Sequence, residues 1–525
     1  MRHMGAKSNT AAELRNALQP QKHPDVPETM RIHVHAAVSR VAVFYEKMRN
    51  AVDYKEEHIL RKSATRRILK RQILLEKDAE PMATNVIREL IGARYLPNGI
   101  LPESVIGTAA LIIQKYLSVI SCRVLSLKEE SWLIGLVSVE LEDLLAPHDE
   151  SKLLVTMLYD RLATRVSVIG SSMGETDIRL QVYIACYRLF LKADDEILSF
   201  KLLRAFFPEW MRPNDWISEP TATAERIVQT IATIQDALHH PLSQKFIRVV
   251  KPWSVGLIML RDALKEKPSE RESLLEKPEA LRTVVARLVE RRYREAKRKL
   301  RRGAFRATVY LFLTKMLLAL LIEVPVEKRF WGSYSDTSLL INILFPPFLM
   351  LMISFLISVP GKENTEKIMS NVALFLTGES VPMRDIRIAR KRSSSGQFLL
   401  NATYAILFCL IFGAIGFSLN VLNFTWISTG IFIFFLCVVS FFAFRLRSNA
   451  REFIIVEGHD TIRATLVDFI SLPILRVGQW LSMQVSRLNV FLFVFDFIVE
   501  APFKIFLTVM EEWFSFIKEK KEELH

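Results

Sequence analysis

Apolar residues along this chain are spaced for helices almost from end to end, and the spacing changes character near residue 304. Before that point they recur every three or four positions with charges between them, the pattern of helices that bury one face. Segments 31–53, 55–78, 81–95, 104–121, 128–145, 151–168, 176–192, 195–206, 222–239, 243–265 and 278–302 all carry it. Alternating β-branched residues are nearly absent, so strands are not expected. The predicted fold class is all-α, with a helical N-terminal soluble bundle and no fixed-period repeat. Residues 1–29 lack the pattern and read as a disordered N-terminus. Proline-containing joints at 96–102 and 208–220 mark candidate boundaries. Residues 30–207 then form a cytosolic helical domain, and 208–303 a second helical segment ending in a basic juxtamembrane helix. An apolar stripe of Leu281, Val284, Val285, Leu288, Ala296 and Leu300 leads into the next region as one continuous helix.

Beyond residue 304 the charges fall away, and 304–446 reads as four transmembrane helices: 305–324, 339–359, 398–419 and 427–444. Each has the length that about 30 Å of hydrocarbon requires. Pro346 and Pro347 remove two backbone donors and predict a helix break in the second span. The third and fourth spans form a hairpin in which Gly413 and Gly416 permit close packing.

From 447 to 525 the pattern is that of amphipathic interfacial helices, with Pro473 and Gly478 as breaks in the first. Beyond 488, Asp496, Glu500 and Lys504 lie four apart on one polar stripe, where Glu500 and Lys504 can pair. Three charges at about +3 kcal/mol each argue against 488–510 as a fifth span.

Composition supports the division. Half of the 525 residues are hydrophobic, mean hydropathy is +0.21 and net charge is +14. That is too apolar for an ordinary soluble chain and too charged for one wholly in lipid. The charge is localised. Residues 281–306 carry eleven basic residues against Glu290 and Glu295, and 360–397 carry seven against four. Arg445, Arg447 and Arg451 follow the fourth span. Every basic flank falls on one side, which predicts an N-in, C-in integral membrane protein, with a bacterial cytoplasmic membrane as its setting. Arg298, Lys299, Arg301, Arg302, Arg390, Lys391 and Arg392 are the candidates to meet anionic headgroups of the bilayer. This placement leaves no basis for nucleic-acid binding. The polar N-terminus lacks the apolar core of a signal peptide. Four scattered cysteines form neither a disulfide framework nor a zinc site.

Candidate chemistry is sparse. Lys315, near the centre of the first span, costs roughly 2.5–3.5 kcal/mol there unless something offsets it. It reads either as part of an ion or substrate path or, with more weight because one isolated charge makes no relay, as a lysine packed against Asn342 or helix carbonyls, or snorkelling along a tilted span. Gly170-Ser171-Ser172-Met173-Gly174 matches the G-x-S-x-G nucleophile elbow, with residues 165–169 as its strand and Asp194, Asp215 and His239 or His240 following in order. The sheet such an elbow needs is not expected, and Ser172-x-x-Glu175 also reads as a capping box. The helical 31–53 reading puts His33 and His35 on opposite faces. No metal site, cofactor or catalytic residue is expected.

Three functions follow in order of weight. The first is a membrane-anchored helical scaffold or assembly factor, binding other proteins through residues 30–300. The second is a transporter or channel using Lys315 and the broken second span, working as a homo-oligomer or with the tail helices. The third is a membrane-attached serine hydrolase centred on Ser172.

Overall fold

The computed structural model describes residues 27, 30–34, 56–122, 124–147, 149–217, 220–266, 268–331, 335–356, 361–377, 379, 381–388, 394–450, 454–455 and 462–487. The expected disordered N-terminus apart from Pro27, most of the 31–53 helix, Arg390, Lys391 and Arg392, and Asp496, Glu500 and Lys504 lie outside them. The fold is all-α, and its helices fall into two compact units.

The first unit takes residues 1–258 and 374–388. Its helices are α1 (Glu57–Leu75), α2 (Ala79–Gly92), α3 (Ser104–Ser121), α4 (Leu127–Leu145), α5 (Asp149–Leu162), α6 (Glu175–Phe190), α7 (Asp195–Phe206), α8 (Pro220–Leu238) and the first part of α9 (Ser243–Glu266). A capping box between Ser126 and Glu129 starts α4, which then runs through the core with Leu133, Leu136, Leu141 and Leu145 buried. Several helices bury charge as well. Arg61 of α1 pairs with Glu142 of α4 at 3.1 Å, and Lys62 pairs with Asp194 and Glu196 around the start of α7. The proline-containing joint at 208–220 forms two short 3-10 turns that its tryptophans pin to the core. Trp210 is wholly buried, stacks on Trp216 at 5.0 Å and meets Tyr116 edge-on at 4.7 Å. Burying this much aromatic area anchors the turns that Pro208 and Pro213 open.

Residues 31–34 are extended, not helical. Arg31 bridges Pro102, and Ile32 exchanges backbone hydrogen bonds with Leu101 and Gly99. Gly99 there has φ +71°, a conformation that needs glycine.

One feature of this unit joins distant stretches of sequence. Strand β1 (Val166–Ile169) pairs in parallel with β2 (Arg384–Arg387), register Val166–Arg384 to Ile169–Arg387. Ser167 donates to Asp385 at 2.5 Å, and Lys245 donates to the Arg387 carbonyl at 2.8 Å. Arg161 sits over the Phe375 ring at 5.4 Å. A piece of the loop between the second and third apolar runs therefore belongs to the first unit.

The second unit takes residues 259–373 and 389–493. It holds the rest of α9, then α10 (Arg271–Glu276), α11 (Pro278–Leu318), α12 (Val324–Trp331), α13 (Asp336–Leu356), most of α14 (Lys362–Thr377), α15 (Ser394–Val421), α16 (Trp426–Ala450) and α17 (Ile462–Arg487). The 41 residues of α11 are continuous, a rod of about 60 Å at 1.5 Å per residue. A π-helical turn, Ala319–Glu323, joins it to α12. Asn364 of α14 donates to the Tyr293 hydroxyl at 2.6 Å and accepts from the Ile455 amide at 2.7 Å. Asn423, at φ +59°, closes α15, and the Phe424 amide returns to the Leu419 carbonyl in the manner of a helix C-cap.

Among the described residues four helices are long and apolar enough to cross a membrane: Ser104–Ser121, Glu279–Phe330, Ser394–Val421 and Trp426–Phe444. Three contain expected spans. The expected 339–359 span falls in α13, whose apolar described part, Asp336–Met352, is shorter. Ser104–Ser121 is α3 of the first unit. It buries Ala109, Ile113, Lys115, Tyr116 and Val119 on one face, while Gly107, Thr108 and Gln114 stay exposed. That two-sided character marks it as a core helix.

Three local expectations are corrected. Helix α13 runs unbroken through Pro346 and Pro347. Lost donors are tolerable where neighbouring helices enclose the backbone. Gly413 and Gly416 have open space where a Cβ would stand, so they mediate no close contact. Helix α17 likewise passes through Pro473 and Gly478. A Cβ on Gly478 would lie 2.1 Å from the Cys437 carbonyl oxygen, so this glycine is where α17 meets α16.

Candidate functional site

Lys315 is not isolated. It is fully buried, its Nζ lies 3.8 Å from Glu323 Oε2, and it stands 4.6 Å from the centre of the Phe435 ring. The π turn explains the pairing. Eight residues of regular helix would set the two side chains about 80° apart around the axis. A π turn absorbs one extra residue, which brings them to within about 20° of one face.

Glu323 is the hub of a buried polar cluster. Its Oε1 accepts from Asn342 Nδ2 of α13 at 2.5 Å and from the Ser428 hydroxyl of α16. Asn342 Nδ2 also lies 3.1 Å from Ser428 Oγ. One turn further on, Glu327 accepts from the Thr425 hydroxyl at 2.5 Å, and the Ser428 amide donates to Thr425 Oγ1 at 3.1 Å. Lys315, Glu323, Glu327, Asn342, Ser338 and Ser428 are each no more than 2% exposed. Among the described residues three atoms in this set have no hydrogen-bond partner, Lys315 Nζ, Glu323 Oε2 and Asn342 Oδ1, the first two of them ion-paired with each other. The apolar frame is Phe345, Phe424, Phe432 and Leu436.

The sequence named Lys315 and Asn342. It did not name Glu323, Glu327, Thr425 or Ser428. Glu323 sits at the very end of an apolar run, where a carboxylate ordinarily meets the interface. The available signal was that a mid-span lysine requires a counter-charge on its own helix face.

The other candidates part company. Arg298, Lys299, Arg301 and Arg302 are all exposed on α11. Ser172 follows β1 and precedes α6, a strand–turn–helix order, and Gly170 has φ +88°. But Gly174 is the N-cap of α6 without a side-chain cap, so the expected capping box does not form. Asp194 caps α7 and holds Lys62, while His239 lies 3.7 Å from Asp195. Ser172 is exposed and has no side-chain hydrogen bond among the described residues. Nothing there assembles a triad. Among the described residues no group of three or more His, Cys, Asp or Glu could hold a metal ion.

No protein-family model, curated protein or solved structure matches the chain.

Proposed function

We propose that this chain is an integral membrane transporter or channel whose working site is the Lys315–Glu323–Asn342–Ser428 cluster. The observation that carries this reading is a buried ion pair with unpartnered polar atoms, held among helices apolar enough to span a bilayer. Ionisable groups in that setting are costly and are retained mainly where a charged species binds or passes. Transport outweighs scaffolding because Lys315 has Glu323 beside it, joined to Asn342 and Ser428 in one buried polar cluster. A π turn beside the site supports the same reading, since such turns recur at functional positions. Passage through so few spans calls for a homo-oligomer or for the tail helices.

The membrane topology belongs to this proposal. Strands β1 and β2 pair edge to edge, so the first unit and the loop carrying β2 share one side. With the basic flanks counted, that side is the cytosol, which favours N-in and C-in in a bacterial cytoplasmic membrane. The exposed Arg298, Lys299, Arg301 and Arg302 suit anionic headgroups.

Flux is the test. In proteoliposomes, Lys315→Leu and Glu323→Gln each abolish movement of alkali cations or protons, while both variants keep the elution profile of the unaltered protein. Full flux in both variants rejects the reading. A second reading, the scaffold, has its own observation: the helical first unit binds a foreign strand, Arg384–Arg387, by β-pairing. Crosslinking in native membranes that returns a stoichiometric partner on residues 30–300 would favour it.

A further inference from the structure

We infer that the segment Leu374–Ile388 is a detachable strap: docked on the first unit it restrains α15, and its release frees that helix. This deepens the transport reading by naming what regulates it, and it rests on that reading only where flux is measured.

The chain leaves one unit for the other at this point and then returns. Residues 259–373 and 389–493 belong to the second unit, while Leu374–Ile388 between them belong to the first. Three apolar side chains anchor the excursion: Phe375, Val381 and Ile386 are each no more than 3% exposed. Arg161 of α5 donates to the Leu374 carbonyl at 3.4 Å and covers the Phe375 ring. The Arg384 amide donates to the Arg165 carbonyl at 2.8 Å, and the Ile388 amide to the Ile169 carbonyl at 3.0 Å, so both ends of β2 are fastened to β1. Ser167 and Lys245 add side-chain hydrogen bonds to Asp385 and to the Arg387 carbonyl. Gly170 completes the seat. Its φ of +88° favours glycine, and a Cβ there would lie 3.4 Å from the Ile388 carbonyl oxygen. The first glycine of the G-x-S-x-G match is thus accounted for by the strap rather than by a nucleophile.

The hold is of a kind that opens. A two-stranded sheet of four residue pairs is marginal by itself. Arg384, Asp385 and Arg387 are exposed, which leaves Ile386 as the single buried side chain of β2. Burying so few apolar side chains yields a gain of the same order as the entropy lost in ordering the strand. Elements with few buried contacts are the first to open. What the strap acts on is α15. Among the described side chains of α15 only Leu419 is buried, whereas α16 buries Phe432, Leu436, Cys437, Val439 and Ala443. Packing within its own unit therefore restrains α15 less than its neighbour. Ile388 and Ser394 are six Cα steps apart, at most about 20 Å of chain. A docked strap tethers the start of α15 within that reach, and an undocked one does not.

The test uses the full-length protein in liposomes of phosphatidylethanolamine and phosphatidylglycerol. Ser167→Cys with Asp385→Cys, in a background without native cysteines, is a reversible lock. The same molecules are compared oxidised and reduced, so misfolding cannot imitate the effect. Hydrogen exchange is read by mass spectrometry over residues 394–400, the start of α15. Expected is exchange about ten-fold slower with the lock closed than with it reduced. Ile386→Asp removes the anchor of β2 and should speed exchange there about ten-fold over the unaltered protein. Alkali-cation flux in the same liposomes falls on oxidation and returns on reduction. Equal exchange over 394–400 in the locked, reduced and Ile386→Asp forms overturns the inference, as does failure of the two cysteines to join under oxidant. Exchange that follows the lock in a protein without flux in any form leaves the strap standing and removes the transport reading. Flux that ignores the lock overturns the strap as a regulator and leaves transport standing.

Discussion

Asp143 illustrates how single residues in the first unit set its stability. Burial pushes its carboxyl pKa up, but Lys201 at 2.8 Å and Lys152 at 3.4 Å outweigh that and hold it below the ordinary value. A depressed carboxyl contributes stability above its unfolded-state pKa and loses it as pH falls through the folded one. Lys201 is itself lowered, by burial against the pull of Asp143. Asp143→Asn should therefore destabilise the protein at neutral pH by roughly 1–3 kcal/mol, the cost of leaving a charged partner unmatched. The difference should vanish at the acid end of a melting series. A constant difference across that series would reject the assignment. Lys115 is a companion case: burial lowers its pKa although Glu140 lies 2.5 Å away, and its ammonium also faces Trp210 at 4.7 Å.

At the scale of elements, two contacts depend on the close approach of backbones. Gly478 of α17 stands against the Cys437 carbonyl and the Phe441 Cβ, where an added methyl would lie 2.1 and 2.7 Å away. Gly478→Ala must push the two helices apart, at about 1–3 kcal/mol by analogy with overpacked cores. Thermal melting of the detergent-solubilised variant reads this directly, and an unchanged midpoint would mean that α17 does not pack there. The β1–β2 pairing is the second contact. Ser167 and Asp385 face each other in register. A Ser167→Cys, Asp385→Cys pair should oxidise to a disulfide that peptide mass spectrometry detects in intact membranes. Its absence under oxidant would discount the captured strand. Neither element declared its role beforehand. Gly478 looked like a helix break because a glycine in sequence carries no sign of the neighbour that fills its space. Residues 384–387 read Arg-Asp-Ile-Arg, with no strand pattern of their own, and become a strand because β1 offers an edge.

At the scale of the whole molecule, the proposed topology is open to labelling. Single cysteines replacing the exposed Arg298 and Phe330 in a background without native cysteines should react with membrane-impermeant maleimide from opposite sides. In intact cells only the cysteine at 330 should label. Labelling of both, or of 298 alone, would overturn the N-in orientation.

Much of the architecture follows from the order of apolar and charged residues. Periodicity of three and four residues gives helices wherever chain length allows one face to be buried. Runs of about twenty apolar residues mark three of the four expected spans, because hydrocarbon thickness fixes their length. What order along the chain could not determine is which residues meet across helices. The sequence isolates Lys315; only the extra residue in the π turn brings Glu323 to it, and only the packing of α13 and α16 brings Asn342 and Ser428 to Glu323. The prolines of α13 and the 208–220 segment illustrate the same division. Local chemistry predicts breaks at both. At 208–220 the helix does end, and buried tryptophans fix the turns that follow; in α13 the helix continues, since helix neighbours can shelter a proline-containing backbone.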